Sequence, residues 1–142
     1  MLPGTKAYDI SAVDTGGQYV HLYAVQSKIT ILYFYDFECR FCDNATDELL
    51  KIYHAYKKKG VEVFAVPLSD NTKAWKLYIS RNELDWINAM PEIEDIKNIR
   101  GNFKLNATPT IYLLDEQKII FSKRLVFGDD VEKALLEKFS TK

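Results

Sequence analysis

Apolar and polar positions alternate early in the chain, where Ala7 to Val13 and Gln18 to Leu22 flank the turn-forming Asp14-Thr15-Gly16-Gly17. A period of two on either side of a Gly-containing turn predicts two short strands joined as an N-terminal hairpin. The next segment, Lys28 to Tyr35, is β-branched and aromatic and apolar on both faces. Such a run is expected of a strand covered on both sides in the middle of a sheet, and this one leads straight to Cys39.

From Cys42 to Lys59 the period becomes helical. Leu49, Tyr53 and Tyr56 share one stripe, and Lys57-Lys58-Lys59-Gly60 supplies a cationic end and a stop. Val61 to Pro67 alternates as a strand, and Ser69-Asp70-Asn71 offers capping oxygens to a second helix over Thr72 to Arg81. Asn82 to Lys104 is the least patterned stretch, read as a short extended piece near Trp86-Ile87 and a helix over Ile93 to Phe103. Thr110 to Leu114 and Ile119 to Leu125 flank the polar Asp115-Glu116-Gln117-Lys118, which predicts an antiparallel hairpin. Asp129 and Glu132 have the spacing of a capping box, and Val131, Leu135 and Phe139 form the stripe of a closing helix. A βαβ unit followed by a hairpin and a last helix implies an α/β fold, a mixed central sheet with helices on both faces and a right-handed crossover.

With 142 residues, 47% of them hydrophobic, residues 1–142 are expected to form a single domain around one core. A net charge of -1 gives no general attraction to polyanions, so no nucleic-acid partner is expected. The longest apolar stretches, such as Ile29 to Phe37, fall short of the roughly 20 residues of a membrane-spanning helix. Met1-Leu2-Pro3-Gly4 has neither the basic segment nor the apolar run of a secretory signal, so any export signal is expected to have been removed or never to have existed.

The chain has 2 cysteines, Cys39 and Cys42, the wrong arithmetic for a small scaffold held by several bridges. A Cys-x-x-Cys that opens a helix after a buried strand sets its first sulfur beside unpaired backbone N–H groups and the positive end of the helix dipole. Thiol pKa values fall in that setting to roughly 3.5–7.5, so Cys39 is the expected nucleophile and Cys42, one turn inward, the resolving thiol. Arg40 between them adds a charge that favours the thiolate, while Asp36 and Glu38 act the other way. Phe41, inside the motif, is the aromatic residue expected to meet substrate; Phe37, Trp75 and Trp86 read as core. Thr108-Pro109-Thr110 precedes a strand, and together with an upstream Cys-x-x-Cys it predicts a cis peptide at Thr108-Pro109, whose loop would offer backbone hydrogen bonds to an extended substrate chain. A zinc site built from both cysteines with His21 and His54 lacks paired-ligand spacing, so the histidines read as structural and no metal is expected.

On these residues the chain resembles the TlpA/ResA group of periplasmic thioredoxin-like proteins, within the wider thioredoxin and thiol-specific-antioxidant superfamily. Gly4 to Leu22 is similar to the group's N-terminal hairpin, Ile31 to Leu50 to its active-site strand and helix, and Ala107 through Asp115 to its cis-proline strand. The resemblance implies a thioredoxin fold and a thiol-disulfide oxidoreductase acting on disulfide- or dithiol-containing proteins. It also implies an upstream membrane or soluble electron donor and a periplasmic or otherwise extracytoplasmic setting, with the cytoplasm as the alternative. The expected protein is a monomer with no cofactor. Asp36-Phe37-Glu38 replaces the tryptophan and proline that often precede the first cysteine of relatives. Tyr33 and Ala45 stand where relatives carry a buried carboxylate and a glutamate, which leaves the general base unassigned. Two other readings stay open: a non-catalytic binding or scaffolding domain with a stable disulfide, and a peroxiredoxin-type peroxidase. The latter's Pro-x-x-x-Thr-x-x-Cys would need proline and threonine where Leu32 and Asp36 stand.

Overall fold

The computed structural model describes residues 2–124 and 129–140. In chain order these form β1 (Ser11–Val13), β2 (Tyr19–His21), β3 (Ile29–Tyr35), α1 (Arg40–Tyr56), β4 (Val61–Pro67), α2 (Thr72–Asn82), β5 (Ile87–Asn88), α3 (Ile93–Asn102), β6 (Thr110–Leu114), β7 (Ile120–Arg124) and α4 (Asp129–Phe139). β1 and β2 pair as an antiparallel hairpin, and the other strands form one mixed sheet in the order β5-β4-β3-β6-β7. β4 runs parallel to β3 and β5 parallel to β4, whereas β6 and β7 are antiparallel additions on the other side.

The apolar run that reads as a central strand takes that place: β3 pairs on both edges, and all 7 of its residues are buried. Its odd residues Ile31, Tyr33 and Tyr35 pack with Ala45, Leu49 and Tyr53 of α1, Trp75 of α2 and Val131 and Leu135 of α4. Its even residues Leu32 and Phe34 pack with Ile99 of α3, Phe103, and the N-terminal Ala7, Ile10 and Leu22. α1 and α2 share a face for a topological reason. Both cross over between parallel strands in the same direction across the sheet, and crossovers of one hand then fall on one side.

Several boundaries differ from the pattern. The N-terminal hairpin is shorter than the alternation predicts, because Gly4 and Ala7 send their N–H groups to Ile120 and Lys118 carbonyls at 2.7 and 2.9 Å, tying the segment to the β6-β7 hairpin. Leu22–Ala24 closes into a 3-10 turn. α1 begins at Arg40 rather than Cys42, and Lys57–Lys59 tightens to a 3-10 turn. The second helix carries the expected cap, with Asn71 Oδ1 accepting from Ala74 N at 3.1 Å. Leu125, and the Asp129 side chain expected to cap α4, lie outside the described residues. Glu132, its expected partner, accepts from Tyr56 Oη at 2.8 Å and so ties α4 to α1.

Gly60 ends the α1 segment at φ 99°, and a Cβ there would stand 2.9 Å from Lys28 Cγ. Gly60→Ala is therefore expected to destabilise the protein by about 1–2 kcal/mol, the left-handed penalty for a residue with a Cβ. A urea unfolding midpoint that does not fall would contradict this.

Candidate active site

β3 ends at Tyr35 and the chain bends through residues 36–39 before α1. Asp36 organises the bend. Its carbonyl accepts from Cys39 N at 2.9 Å, and its Oδ1 accepts from Glu38 N at 2.9 Å. Cys39 is the residue that caps α1, in extended conformation (φ -89°, ψ 122°), and Cys42 N donates to its carbonyl at 3.1 Å. The Cys39 sulfur is thus delivered to the first N–H groups of the helix, where the dipole is positive.

The two sulfurs meet different surroundings, and both are free thiols. Cys39 is partly exposed, and its Sγ lies 3.7 Å from the carbonyl oxygen of Thr108. Partial burial pushes its pKa up, but hydrogen bonding to the Cys42 thiol, to the Thr108 side chain and to the backbone N–H groups of Cys42 and Phe41 outweighs this and holds it below the usual thiol value. Cys42 is fully buried, with its Sγ 3.5 Å from Asp36 N. Burial pushes its thiol up to about 12, against the pull of that N–H. One thiol is therefore prepared to ionise below the ordinary thiol range and its neighbour is held protonated.

Under Cys42 lies a row of hydroxyls. Tyr33 Oη is 3.1 Å from the Cys42 carbonyl and 2.9 Å from Thr46 Oγ1, and Tyr78 Oη is 2.9 Å from Thr46 Oγ1. A carbonyl only accepts, so Tyr33 donates to it, Thr46 donates to Tyr33, and Tyr78 donates to Thr46. Burial pushes both phenols up, so the row stays protonated and keeps this direction. It fixes the first turn of α1 to β3 and α2. Tyr33 thus stands under the second cysteine without being an acid of useful strength. Thr46 and Tyr78 escaped the sequence reading. Thr46 could have been found, since it lies one helical turn from Cys42 on the same face; Tyr78 reaches the site only through the packing of α2.

The Thr108–Pro109 peptide is cis, and Pro109 is buried beside a half-buried Thr108. Phe41 is 66% exposed next to the cysteines, whereas Trp75 and Trp86 are at 1% and 4% and belong to the core. Phe37 is partly buried, its ring 6.1 Å from that of Tyr78. Glu38 is exposed; the Arg40 side chain lies outside the described residues. His21 Nδ1 pairs with Ser11 Oγ at 2.8 Å and His54 Nε2 with Asp85 Oδ1 at 2.9 Å. Among the described residues no group of three or more His, Cys, Asp and Glu is placed to hold a metal, and no helix is long and apolar enough to cross a membrane.

The fold has counterparts among solved structures. The thioredoxin domain of a thiol-disulfide oxidoreductase from Bacteroides vulgatus superposes with a TM-score of 0.91 at 28% identity, covering 99% of each chain. A domain of a possible thiol-disulfide isomerase from Cytophaga hutchinsonii does so at 0.86 and 30%, over 98% of this chain and 94% of that one. In sequence, the thiol-disulfide oxidoreductase ResA of Bacillus cereus is 24% identical over 132 residues, 93% of this chain and 73% of its own. A shorter stretch of 60 residues is 35% identical to glutathione peroxidase 1 of Helianthus annuus, over 42% of this chain and 36% of that protein. The model of the AhpC/TSA family matches residues 3–123, most of the chain, and with the thioredoxin-like architecture and the paired cysteines already in view, the protein belongs to the AhpC/TSA family as a relative of the ResA-like thiol-disulfide oxidoreductases.

Proposed function

We propose that this protein exchanges dithiol for disulfide with target proteins, with Cys39 as nucleophile and Cys42 as resolving thiol. The observation that carries the reading is the contrast between the two sulfurs: Cys39 partly exposed at the tip of α1 with its pKa held down, Cys42 buried one turn behind it with its pKa pushed up. The Cys39 thiolate attacks one sulfur of a target disulfide and forms a mixed disulfide, and the departing target thiolate takes a proton from water. Cys42 then attacks Cys39 Sγ, releases the second target thiol and leaves the Cys39–Cys42 disulfide. Two electrons pass from the pair to the target, and an upstream donor, membrane-bound or soluble, restores the dithiol.

In this reading the Thr108-Pro109 segment receives the target backbone, since the Thr108 carbonyl lies beside the Cys39 sulfur and an extended chain can add there as a strand. Phe41 offers an apolar contact on the same rim. Glu38 and Arg40 tune the charge around the nucleophile. The protein works as a monomeric single domain, without cofactor or nucleic acid, in an extracytoplasmic compartment where protein disulfides form and persist.

Cys42→Ser tests the reading. With resolution removed, a mixed disulfide between Cys39 and its targets should accumulate and run as higher-mass bands on non-reducing gels that collapse on reduction. A Cys42→Ser protein that traps no target and forms no adduct with a disulfide-containing peptide would refute the proposal.

A further inference from the structure

The closing step of this exchange poses a proton problem. Cys42 attacks as a thiolate, yet burial holds its thiol at about 12. The positions at which the resemblance implies a carboxylate hold Tyr33 and Ala45, both fully buried. Neither takes a proton near neutrality: alanine has no site for one, and the Tyr33 phenol remains protonated with its hydrogen on the Cys42 carbonyl. Tyr35 and Tyr78 also bear on Cys42, and burial keeps their phenols protonated too. Of the carboxylates on this rim, Glu38 and Asp43 are exposed, and Asp43 lies 3.3 Å from Tyr78 Oη.

Asp36 is placed differently. It is half-buried, its N–H lies 3.5 Å from Cys42 Sγ, its carbonyl holds Cys39 N, and its carboxylate is steadied by Glu38 N at 2.9 Å. Among the described residues it is the carboxylate-bearing residue whose own backbone touches the Cys42 sulfur.

We infer that Asp36 is the general base of the closing step, accepting the Cys42 proton through a single bridging water. The inference rests on the exchange reading above. In the step, the Cys42 S–H bond breaks and its proton passes to the Asp36 carboxylate. The Cys42 sulfur bonds to Cys39 Sγ as the bond between Cys39 and the target breaks. The departing target thiolate then takes up the proton that Asp36 holds.

A carboxylate bonded to an N–H two residues on is also what a simple turn requires. Asp36→Asn separates the two roles, since an amide oxygen preserves the turn bond but does not take a proton from a thiol. The signs are opposed as well. Loss of a nearby negative charge alone favours the Cys42 thiolate and speeds closure, whereas loss of a base slows it.

The experiment is rapid mixing of reduced protein with dithiobis(nitrobenzoate), which releases one coloured thiolate when Cys39 attacks and a second when Cys42 closes the bridge. In the wild-type protein the second phase should be nearly independent of pH around neutrality. In Asp36→Asn it should be about 10²-fold slower at neutral pH and rise about tenfold per pH unit as hydroxide replaces the lost base. Asp43→Asn removes a neighbouring charge without removing the base and should retain the wild-type pH profile. A second phase in Asp36→Asn as fast as wild type, or faster, or equally independent of pH, overturns the assignment of Asp36. Absence of the first phase from the wild-type protein would instead overturn the exchange reading itself.

Discussion

Cys39→Ser is expected to reduce the rate of disulfide reduction by at least about 10³-fold, to that of the external dithiol alone, as removal of an essential nucleophile does. A serine hydroxyl is not ionised in any working pH range, and the helix N-terminus cannot shift it far enough to matter. Cys42 cannot substitute. It is fully buried and its thiol stands at about 12, so on the order of one molecule in a hundred thousand carries its thiolate at neutral pH. The fold should survive, because Cys39 is partly exposed at the tip of α1, a hydroxyl can take the same hydrogen-bonding positions, and the replacement removes little volume. Turnover of a protein disulfide in the presence of excess dithiol, measured beside the thermal unfolding midpoint, checks both halves. Near-normal turnover in a folded Cys39→Ser protein would remove Cys39 from the role of nucleophile, whereas a wild-type protein no faster than the external dithiol would favour the non-catalytic binding reading.

The second large effect is a difference in alkylation between the two thiols. In Cys42→Ser, carboxamidomethylation of Cys39 should titrate with a midpoint below the ordinary thiol value of 9.0, since a hydroxyl can donate where the Cys42 thiol did and the Thr108 side chain and the backbone N–H groups of residues 41 and 42 still favour the charged form. In Cys39→Ser, Cys42 should still react more slowly than an ordinary thiol, by about tenfold or more at neutral pH, because burial, the largest cause of its raised pKa, remains when the neighbouring sulfur is gone. The directions follow from the acid's charge. A thiol is charged when deprotonated, so a lowered pKa brings reactivity to lower pH and a raised one postpones it. Equal alkylation profiles for the two cysteines would mean that the helix terminus does not differentiate them, and the assignment of roles would fall with it.

The legible parts of the molecule are those in which local chemistry and tertiary packing agree. β3 is apolar on both faces, and such a segment has one favourable place, between two layers. Asn71 caps α2 with the oxygen that its side chain offers to the fourth residue of the turn. The N-terminal hairpin was less legible. Its alternation is real, but Gly4 and Ala7 find their backbone partners at Ile120 and Lys118, far along the chain, which shortens the first strand, and the second ends where Leu22–Ala24 closes into a 3-10 turn. The hydroxyl row of Tyr33, Thr46 and Tyr78 leaves still less trace, because it joins β3, α1 and α2 through side chains whose spacing in the chain follows no period.

By itself the order of residues determined the class of fold and the position of the cysteine pair at the opening of a helix, and it set the chemistry to be expected of such a pair, since strand and helix periods, turn residues and thiol reactivity are properties of short segments. Only the tertiary structure decided how the two sulfurs differ. Burial, the Thr108 side chain and the Asp36 backbone reach Cys39 and Cys42 from separate parts of the fold, and desolvation and hydrogen bonding depend on what surrounds a group in space rather than on what adjoins it in the chain.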